Sequence, residues 1–515
     1  MRDLLTGLAL PQLIYVALCC CAAWLLLSRR SPKKKPWLRS VIVLVLGDIG
    51  RSPRMMYHAE SFAKLQFVTV LVGYKGSKPV PSLLSLPHVH FLYLSQPPPF
   101  LRKLPFIVSA PFKIVQQVLS MIYILFWHIP YPPEFIVVQN PPSIPTLAFV
   151  WLVGTLRGCK VIIDWHNLGY SILALKLGSD HILVKLAKMF ESYFGRAAYA
   201  HLFVTRAMHD FLVKEWKLQG LKAVLHDRPP SHFHRAAAFE THEVSKETAG
   251  CDHAVIHVPI CSSFFAFHLP CLKPFCLHTA HQHPQPLTQV TLSALPSLRP
   301  DRPAVLVSST SWTEDEDFSI LLDALSIYEK RARAARGRLP RVLMFVTGKG
   351  PLLETYMRKA RGLQDGGGEG DRWQWVHIIS TWLEPNDYPR LLGSADLGIS
   401  LHSSSSALDL PMKIVDMFGC GVPVCALDFA CLSELVIDGV NGVIFQNAAG
   451  LADRLENLLE GFPNAPSLET LRASFKYAVD PGSRSDREGW VWNSWDDNWT
   501  RVVRPLVLPN VRVAG

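Results

Sequence analysis

The chain has 515 residues, of which 49% are hydrophobic, and its formal net charge is +10. This length allows two domains with separate cores, and the positive charge suits an anionic membrane surface or a phosphorylated substrate. The basic residues form no stripe interleaved with aromatic side chains, so we expect no nucleic-acid partner. The 11 cysteines form no paired framework, which argues against a disulfide-stabilised secreted protein.

The first predicted element is an apolar segment at residues 4–27. It exceeds the roughly 20 apolar residues that span a bilayer. The basic residues follow this segment instead of preceding it, which disfavours a cleaved signal peptide. By the positive-inside rule they also keep the remainder of the chain in the cytosol. We therefore predict one transmembrane helix with a lumenal amino terminus. The basic residues are Arg29, Arg30, Lys33, Lys34 and Lys35.

A buried strand at Val41–Leu46 leads into a short glycine-containing turn, and a helix is predicted from Pro53 to about Leu65. Turns at the carboxyl edge of a parallel sheet are common ligand-binding positions. The turn lacks the GxGxxG fingerprint of dinucleotide-binding proteins. It offers a candidate acceptor or phosphate loop made of Gly47, Asp48, Gly50, Ser52 and Arg54.

Residues 101–129 form a long apolar stretch that contains FKIVQQVLSMIYILFW. We interpret it as a helix with one strongly apolar face, lying on a bilayer surface or against a lipid. A buried core helix is the alternative.

The strand Lys160–Asp164 ends in the polar sequence DWHNLGYS. His166 at this strand exit could accept a proton from a sugar hydroxyl, with Asp164 as an alternative base or an orienting group. A histidine that is merely hydrogen-bonded in a loop is the competing interpretation. Strands and helices alternate through this part of the chain, which predicts a parallel sheet covered on both sides.

Residues 236–300 are rich in cysteine, histidine and proline and show no helical or strand period. The cysteines and histidines lack the paired spacing of a zinc site, so we predict no metal and a poorly ordered insertion. It would separate domains at 39–235 and 301–487. A tryptophan-rich tail ends the chain, and a helix at about 488–508 is expected to pack back on the first domain. Its tryptophans, predicted to form a packing stripe, are Trp490, Trp492, Trp495 and Trp499.

The regular pattern resumes with a strand at Ala304–Val307, followed by a hydroxyl-rich loop. The acidic run Glu314–Asp317 fits the first turn of the next helix. A second strand, Val342–Thr347, precedes a glycine turn that holds a lysine, a candidate cation for a phosphate. The loop residues are Ser309, Thr310, Ser311, Gly348, Lys349 and Gly350.

The stretch SSSSALDLPMKIVDMFGCGVP, residues 403–423, joins a polar loop to a helix. Unpaired backbone N–H groups and the helix dipole favour an anion at such a position. Lys413 and Asp416 share one helix face, so the lysine could hold a diphosphate and the carboxylate a ribose or sugar hydroxyl. A capped surface helix with an i, i+3 ion pair is the alternative.

Several of these runs resemble the mannosyltransferases of the dolichol-linked oligosaccharide pathway, which are GT-B glycosyltransferases. The resemblance covers residues 1 to about 230 and about 301 to 505. It implies an α/β protein with two Rossmann-like domains facing a central cleft. The runs are GDIGRSPRM, IIDWHN, VSSTSWTEDEDFSILL, GKGP, SADLGISLHSSSSALDLPMKIVDMFGC and the ELV and NG elements of the sequence ELVIDGVNG.

The resemblance also implies a reaction, the transfer of mannose from GDP-mannose to GlcNAc2-diphosphate-dolichol on the cytosolic face of the endoplasmic reticulum membrane. The product of this N-glycan precursor step has a β-1,4 linkage, so the anomeric carbon inverts. Inversion needs a base for the acceptor hydroxyl and stabilisation of the departing GDP. No tightly bound cofactor or metal is expected, and other mannosyltransferases of the pathway are candidate partners.

The resemblance assigns candidate roles to residues of this chain. The candidate bases are His166, Asp164 and Asp48. The candidate donor-binding residues are Ser309, Thr310, Ser311, Gly348, Lys349, Asp409, Lys413, Asp416 and Glu434.

The chain departs from the family pattern in two places. Many GT-B donor sites carry two glutamates eight positions apart; Asp416 matches the second, but position 408 is Leu408 and Asp409 is one residue displaced. Residues 236–300 replace the part that bridges the two domains and resemble translated non-coding sequence. The alternatives are therefore a catalytically defective variant, a membrane-anchored binding relative, or a transferase with another lipid acceptor.

Overall fold

A computed structural model describes most of the chain. The described residues are 38–96, 106–129, 131–230, 232–241, 288–290, 296–313, 316–335, 337–366, 372–384, 386–402, 408–476 and 494–508. The predicted anchor at residues 4–27, most of the atypical segment, and Trp490 and Trp492 lie outside them.

The chain divides into two compact units. The first comprises Met1–Trp165, Asp180–Leu202 and Trp216–Lys222. The second comprises His166–Ser179, Phe203–Glu215 and Ala223–Gly515. The domain boundary at residue 235 stays a prediction from the sequence.

The first sheet has seven strands in the order β3-β2-β1-β4-β5-β6-β7. The pairs that join β3, β2, β1, β4 and β5 are parallel. After β3 the chain crosses to the other side of β1, which creates a topological switch point between β1 and β4. The strands are β1 Ser40–Asp48, β2 Val68–Tyr74, β3 Val89–Tyr93, β4 Phe135–Asn140, β5 Lys160–Trp165, β6 Ala197–Phe203 and β7 Gln219–Val224.

Helices alternate with these strands, as predicted. The first helix begins at Pro53, where the missing N–H of proline costs nothing because the first turn has no intrahelical partner for it. The long apolar stretch is helical, and a π-helical turn at Tyr123–His128 continues its helix. The helices are α1 Pro53–Lys64, α2 Pro81–Leu84, α3 Phe106–Ile122, α4 Thr146–Arg157, α5 Gly169–Leu177, α6 Ile182–Phe194 and α7 Arg206–Trp216.

The second sheet has six strands in the order β12-β11-β10-β13-β14-β15, and all its pairs are parallel. Its switch point lies between β10 and β13. The strands are β10 Ala304–Ser309, β11 Val342–Thr347, β12 Val376–Thr381, β13 Leu397–Ser400, β14 Val424–Leu427 and β15 Gly442–Phe445. A separate antiparallel pair, β8 Thr288–Val290 and β9 Pro296–Leu298, lies in the segment predicted to lack regular structure.

The remaining helices follow the strands of the second sheet or end the chain. They are α8 Phe318–Ala334, α9 Leu353–Asp365, α10 Tyr388–Ser394, α11 Met412–Gly419, α12 Ala448–Leu459, α13 Pro466–Lys476, α14 Trp495–Val502 and α15 Arg504–Val507. Trp495 and Trp499 are buried, in agreement with a packing role. The Asn498 side chain donates to the His226 carbonyl at 2.8 Å.

The second sheet is buried on both faces, because alternate residues of each strand enter different apolar clusters. Ala304 and Leu306 of β10 belong to one cluster, whereas Val305 and Val307 belong to the other. Within the described ranges, no helix combines the length and the apolar character needed to cross a bilayer.

Candidate active site

The candidate donor loops lie at the carboxyl ends of β10 and β11. A backbone bond from the Thr310 N–H to the Thr347 carbonyl, 2.8 Å long, holds the two loops together. The glycines permit this approach: a Cβ on Gly348 would lie 1.8 Å from the Thr310 carbonyl oxygen, and one on Gly350 would lie 1.9 Å from that of Ser311. Gly348 also has a positive φ of 134°. The loops therefore converge at the switch-point edge, where open α/β sheets bind ligands.

Glu316 organises this edge. Its Oε1 accepts a hydrogen bond of 2.6 Å from the Lys413 ammonium, and its side chain is buried. Its Oε2 accepts from the Thr310 hydroxyl and, at 3.3 Å, from the Ser311 N–H. One buried carboxylate thus fixes a cation of α11 and two donors of the β10 loop. Only a quarter of the Lys413 side chain is exposed, which leaves its ammonium group with limited freedom.

Lys349 is exposed, and its ammonium lies 4.3 Å from the centre of the Trp382 ring. A cation over an aromatic face is held by the ring quadrupole. The structure therefore gives this predicted phosphate cation a defined position beside the β11 loop.

A second hydrogen-bonded group connects the β10 loop with α11. The Ser309 and Tyr388 hydroxyl oxygens are 3.0 Å apart, and Tyr388 is also hydrogen-bonded to Asp416. Burial raises the pKa of the Asp416 carboxyl well above its usual range, the negative charge of Asp227 adds to this effect, and the Tyr388 hydrogen bond opposes it. Burial, reinforced by Asp416, likewise raises the pKa of the Tyr388 hydroxyl. A carboxyl with so perturbed a pKa, in a loop cluster at a sheet edge, is a functional-site candidate.

Glu434 has a different environment from the one predicted. Its carboxylate accepts hydrogen bonds from the Arg206 and Ala207 N–H groups, 2.6 and 2.8 Å long, at the beginning of α7. His226 Nε2 lies 3.1 Å from the same carboxylate. Burial opposes ionisation, but these hydrogen bonds outweigh it and lower the pKa of Glu434. Glu434 therefore caps the beginning of α7. Its contact with a sugar hydroxyl stays a prediction.

The first unit contains the predicted acceptor loop after β1. Asp48 Oδ1 accepts from the Gly50 N–H at 3.1 Å and Oδ2 accepts from the Ser77 N–H at 2.8 Å. The Ser52 hydroxyl donates to the Asp48 carbonyl at 3.2 Å. Gly47 is the penultimate residue of β1. Both Asp48 oxygens hold the loop backbone, so this residue is a weaker candidate for the base than a side chain without such bonds.

Arg54 and Asp164 form a buried pair. Arg54 Nε and Nη2 lie 2.8 and 2.9 Å from the two Asp164 oxygens, and His58 Nε2 lies 3.1 Å from Oδ2. Asp164 has no exposed surface and Arg54 is 3% exposed. Contact with a substrate requires exposure that neither side chain has. The pair therefore supports the β1 loop and the end of β5, and the phosphate and proton-transfer roles of these residues stay predictions.

His166 directly follows β5 and is half-buried. The neighbouring Asn167 side chain accepts from the Leu168 N–H at 2.7 Å just before α5. Unlike Asp164, His166 retains exposed surface at the strand exit. It is the strongest of the three candidate bases on this ground.

Asp409 is half-buried and precedes α11, whereas residues 403–407 of the predicted stretch lie outside the described residues. Among the described residues, no group of three or more His, Cys, Asp or Glu side chains could hold a metal ion. Sequence reasoning missed four residues that interact with the predicted donor-binding side chains: Glu316, Tyr388, Asp227 and His226.

Comparisons with known proteins agree with this geometry. Residues 302–461, which contain the second sheet, match the family model described as glycosyl transferases group 1. The fold is similar to that of HepE from Anabaena, solved with UDP and glucose, at a TM-score of 0.55 and 12% identity, covering 91% of this chain and 100% of that one. The two parallel-sheet α/β domains resemble those of GT-B glycosyltransferases.

Relatives of high identity define the family more narrowly. The human chitobiosyldiphosphodolichol beta-mannosyltransferase is 38% identical over 509 residues, covering 96% of this chain and 98% of the relative. An Arabidopsis thaliana relative named UDP-glycosyltransferase TURAN is 38% identical over 483 residues, covering 90% and 96%. The chain belongs to the chitobiosyldiphosphodolichol beta-mannosyltransferase family.

Proposed function

We propose that the protein transfers mannose from GDP-mannose to GlcNAc2-diphosphate-dolichol and forms a β-1,4 linkage. The observation that carries this proposal is the identity of 38% to the human relative over 96% of this chain. Such identity spans both sheets, so it includes the strand-end loops and not the nucleotide-binding half alone. No observation on the described residues favours a binding-only relative or another lipid acceptor.

On the donor side, the diphosphate of GDP-mannose binds at the switch-point edge of the second sheet. Lys413 supplies positive charge, and the N–H groups at the beginning of α11 add neutral donors. Ser309, Thr310 and Ser311 offer hydroxyl and backbone donors from the facing loop. When the glycosidic bond breaks, negative charge grows on the leaving diphosphate, so groups already fixed there lower the barrier. Glu316 fixes Lys413 before the donor arrives.

The other donor contacts follow from the positions of the remaining side chains. Lys349 is a second cation for the diphosphate. Asp416 accepts a hydrogen bond from a ribose or mannose hydroxyl. Gly348 allows the backbone approach described above, and Asp409 is a further hydroxyl ligand. Glu434 supports this region through the beginning of α7.

On the acceptor side, His166 accepts the proton of the attacking hydroxyl. A neutral imidazole is a suitable base because its unprotonated ring nitrogen carries a lone pair that can accept this proton. The oxygen then attacks the anomeric carbon as GDP leaves from the opposite face. This single displacement converts the α bond of GDP-mannose into the β bond of the product.

We further propose that residues 4–27 anchor the protein in the endoplasmic reticulum membrane with its body in the cytosol. The apolar length of that segment and the basic residues after it support this topology. The outer side of α3 carries Phe112, Val115 and Leu119 with exposures of 58 to 61%, which supports contact with the bilayer surface.

The choice of sugar nucleotide tests this proposal, because the name of the Arabidopsis relative, UDP-glycosyltransferase TURAN, refers to a different nucleotide. The purified full chain should transfer label from GDP-mannose to the chitobiose-diphosphate lipid, and UDP-glucose should give no product. GDP should inhibit the transfer much more strongly than UDP. Transfer from UDP-glucose with no transfer from GDP-mannose would contradict the proposed donor.

A further inference from the structure

Helix α6, Ile182–Phe194, has its apolar stripe on the wrong side for a core helix. Val184, Ala187 and Glu191 form its buried face. The opposite face carries Ile182, Leu186, Met189 and Tyr193, which recur at intervals of four, three and four residues and so share one line along the helix. Their exposures are 68, 48, 61 and 72%. Four large apolar side chains thus point away from the unit, where they gain nothing from folding.

The charges of α6 are also one-sided. Lys185 and Lys188 lie on one side of the apolar stripe and are exposed, and Lys185 lies 3.8 Å from the fully exposed Asp180 just before the helix. The one carboxylate within α6 is Glu191, which is buried and accepts a 2.7 Å hydrogen bond from Asn140. An apolar line beside lysines, with its only acid turned inward, is the pattern of a helix that lies in the interface of an anionic bilayer.

The apolar surface continues beyond α6. The Trp151 ring of α4 contacts Phe194 at a centroid distance of 6.1 Å, and Trp151 is itself 45% exposed. Arg157, at the end of α4, donates to the Leu125 and Ile129 carbonyls after α3. Residues 106–129 and α4 contain no Asp or Glu. Helices α3, α4 and α6 are therefore neighbours in the first unit, and their exposed faces carry no acidic side chain.

We propose that α6 is a second membrane contact, which lays its line of Ile182, Leu186, Met189 and Tyr193 into the headgroup region of an anionic bilayer. A second copy of the chain or a protein partner would be favoured by charges of both signs around the line, because complementary charges give such interfaces their register. Here the exposed charges carried by the helix itself are positive, and the neighbouring acid, Asp180, is paired with Lys185. The inference is independent of the proposed chemistry, since it needs neither donor nor acceptor.

Photo-crosslinking tests this contact in the full chain. Met189 is replaced by the photoreactive amino acid benzoylphenylalanine, and the protein is reconstituted into phosphatidylcholine vesicles with and without phosphatidylserine. Val440, an apolar residue of the second unit with 42% exposure, is replaced in the same way as the control. We expect lipid adducts at position 189 at a yield roughly tenfold above those at 440, with a higher yield when phosphatidylserine is present.

Charge reversal tests the role of the lysines. A Lys185→Glu, Lys188→Glu variant should reduce the adduct yield at 189 in phosphatidylserine vesicles by roughly tenfold or more, because each lysine near such a surface contributes about fivefold in binding. Lys214→Glu with Lys330→Glu makes the same change in net charge elsewhere and should leave the yield unchanged.

Three outcomes would overturn the proposal. They are no lipid adduct at 189, adducts only to a second copy of the chain, and equal yields in neutral and anionic vesicles. Mannose transfer is measured on the same samples without irradiation. Lost crosslinking with retained transfer would reject the docking alone, and retained crosslinking without transfer would reject the proposed function alone.

Discussion

The Lys413 ammonium lies 2.6 Å from Oε1 of Glu316, although 97 positions separate the two residues in the chain. Glu316 is 3% exposed, so this contact brings a cation to the β10 loop at the cost of burying a carboxylate. A buried charge pair of this kind is weak evidence for stability, because desolvation offsets much of the attraction. The pair matters because it fixes the position of the Lys413 ammonium, the cation proposed to bind the donor diphosphate.

Lys413→Ala is expected to lower turnover more than a hundredfold while the protein stays folded. Loss of one preorganised group at a developing oxyanion typically costs roughly 3 to 4 kcal/mol in the transition state. Steady-state kinetics with GDP-mannose and circular dichroism test this. Lys359→Ala, at an exposed lysine of α9, is the control and should keep normal turnover. Near-normal turnover of Lys413→Ala would remove Lys413 from the donor site.

Glu316→Ala should raise the KM for GDP-mannose roughly tenfold, because Lys413 and Thr310 lose their common partner, which is a difference of about 1.4 kcal/mol. Glu316→Gln keeps an acceptor for Thr310 and should recover part of the loss. The matched control is Asp317→Asn at the neighbouring residue, which caps α8 and whose replacement is an equally good cap. If Glu316 were purely structural, its variants would lower Tm but leave the KM of the folded protein unchanged.

His166→Ala should abolish transfer and leave GDP affinity largely intact, because a base acts on the acceptor and does not bind the nucleotide. The measurements are product formation and GDP binding by calorimetry. His209→Ala replaces another half-buried histidine and serves as the control. Weakened GDP binding in His166→Ala would move this residue to the donor side.

Asp416→Asn should stabilise the donor-free protein at neutral pH while weakening the donor. The folded-state pKa of Asp416 is raised, so its contribution favours folding at low pH and is lost as the pH rises through that pKa. Replacing the carboxyl by an amide that does not ionise should therefore raise the free energy of unfolding at pH 7. The gain should vanish below the ordinary aspartate pKa of 3.8.

Thermal unfolding across pH measures the stability effect, and titration with GDP-mannose measures the loss of affinity. A hydrogen bond typically contributes about 0.5 to 1.5 kcal/mol, so we expect a loss of affinity of up to roughly tenfold. Unchanged donor affinity combined with higher stability would show that the Asp416 carboxyl destabilises the fold and does not bind the donor.

The sequence predicted most of the fold because strand and helix periods are local. The run Val41–Leu46 became β1, and Pro53 begins α1 as expected. The strand orders of the two sheets could not be derived from the local sequence pattern, since they depend on which distant strands pair with each other. They follow the doubly wound arrangement that the family resemblance implied.

The site was less predictable because its contacts join distant residues. Glu316 belonged to an acidic run that a helix dipole explains fully, and nothing local indicates its bond to Lys413. Asp164 stood at a strand exit, but its side chain pairs with Arg54, 110 positions earlier. Helix α6 shows the same limit, since an apolar period alone does not tell a buried line of side chains from the exposed one that the structure shows.

The chain is a mannosyltransferase, and we propose that its donor site contains Lys413. The most direct measurement is transfer of labelled mannose from GDP-mannose to the chitobiose-diphosphate lipid by the purified full chain and by Lys413→Ala. We predict a trisaccharide lipid that β-mannosidase cleaves, formed more than a hundredfold more slowly by the variant. Binding of GDP-mannose without any trisaccharide lipid from the unaltered protein would contradict the account.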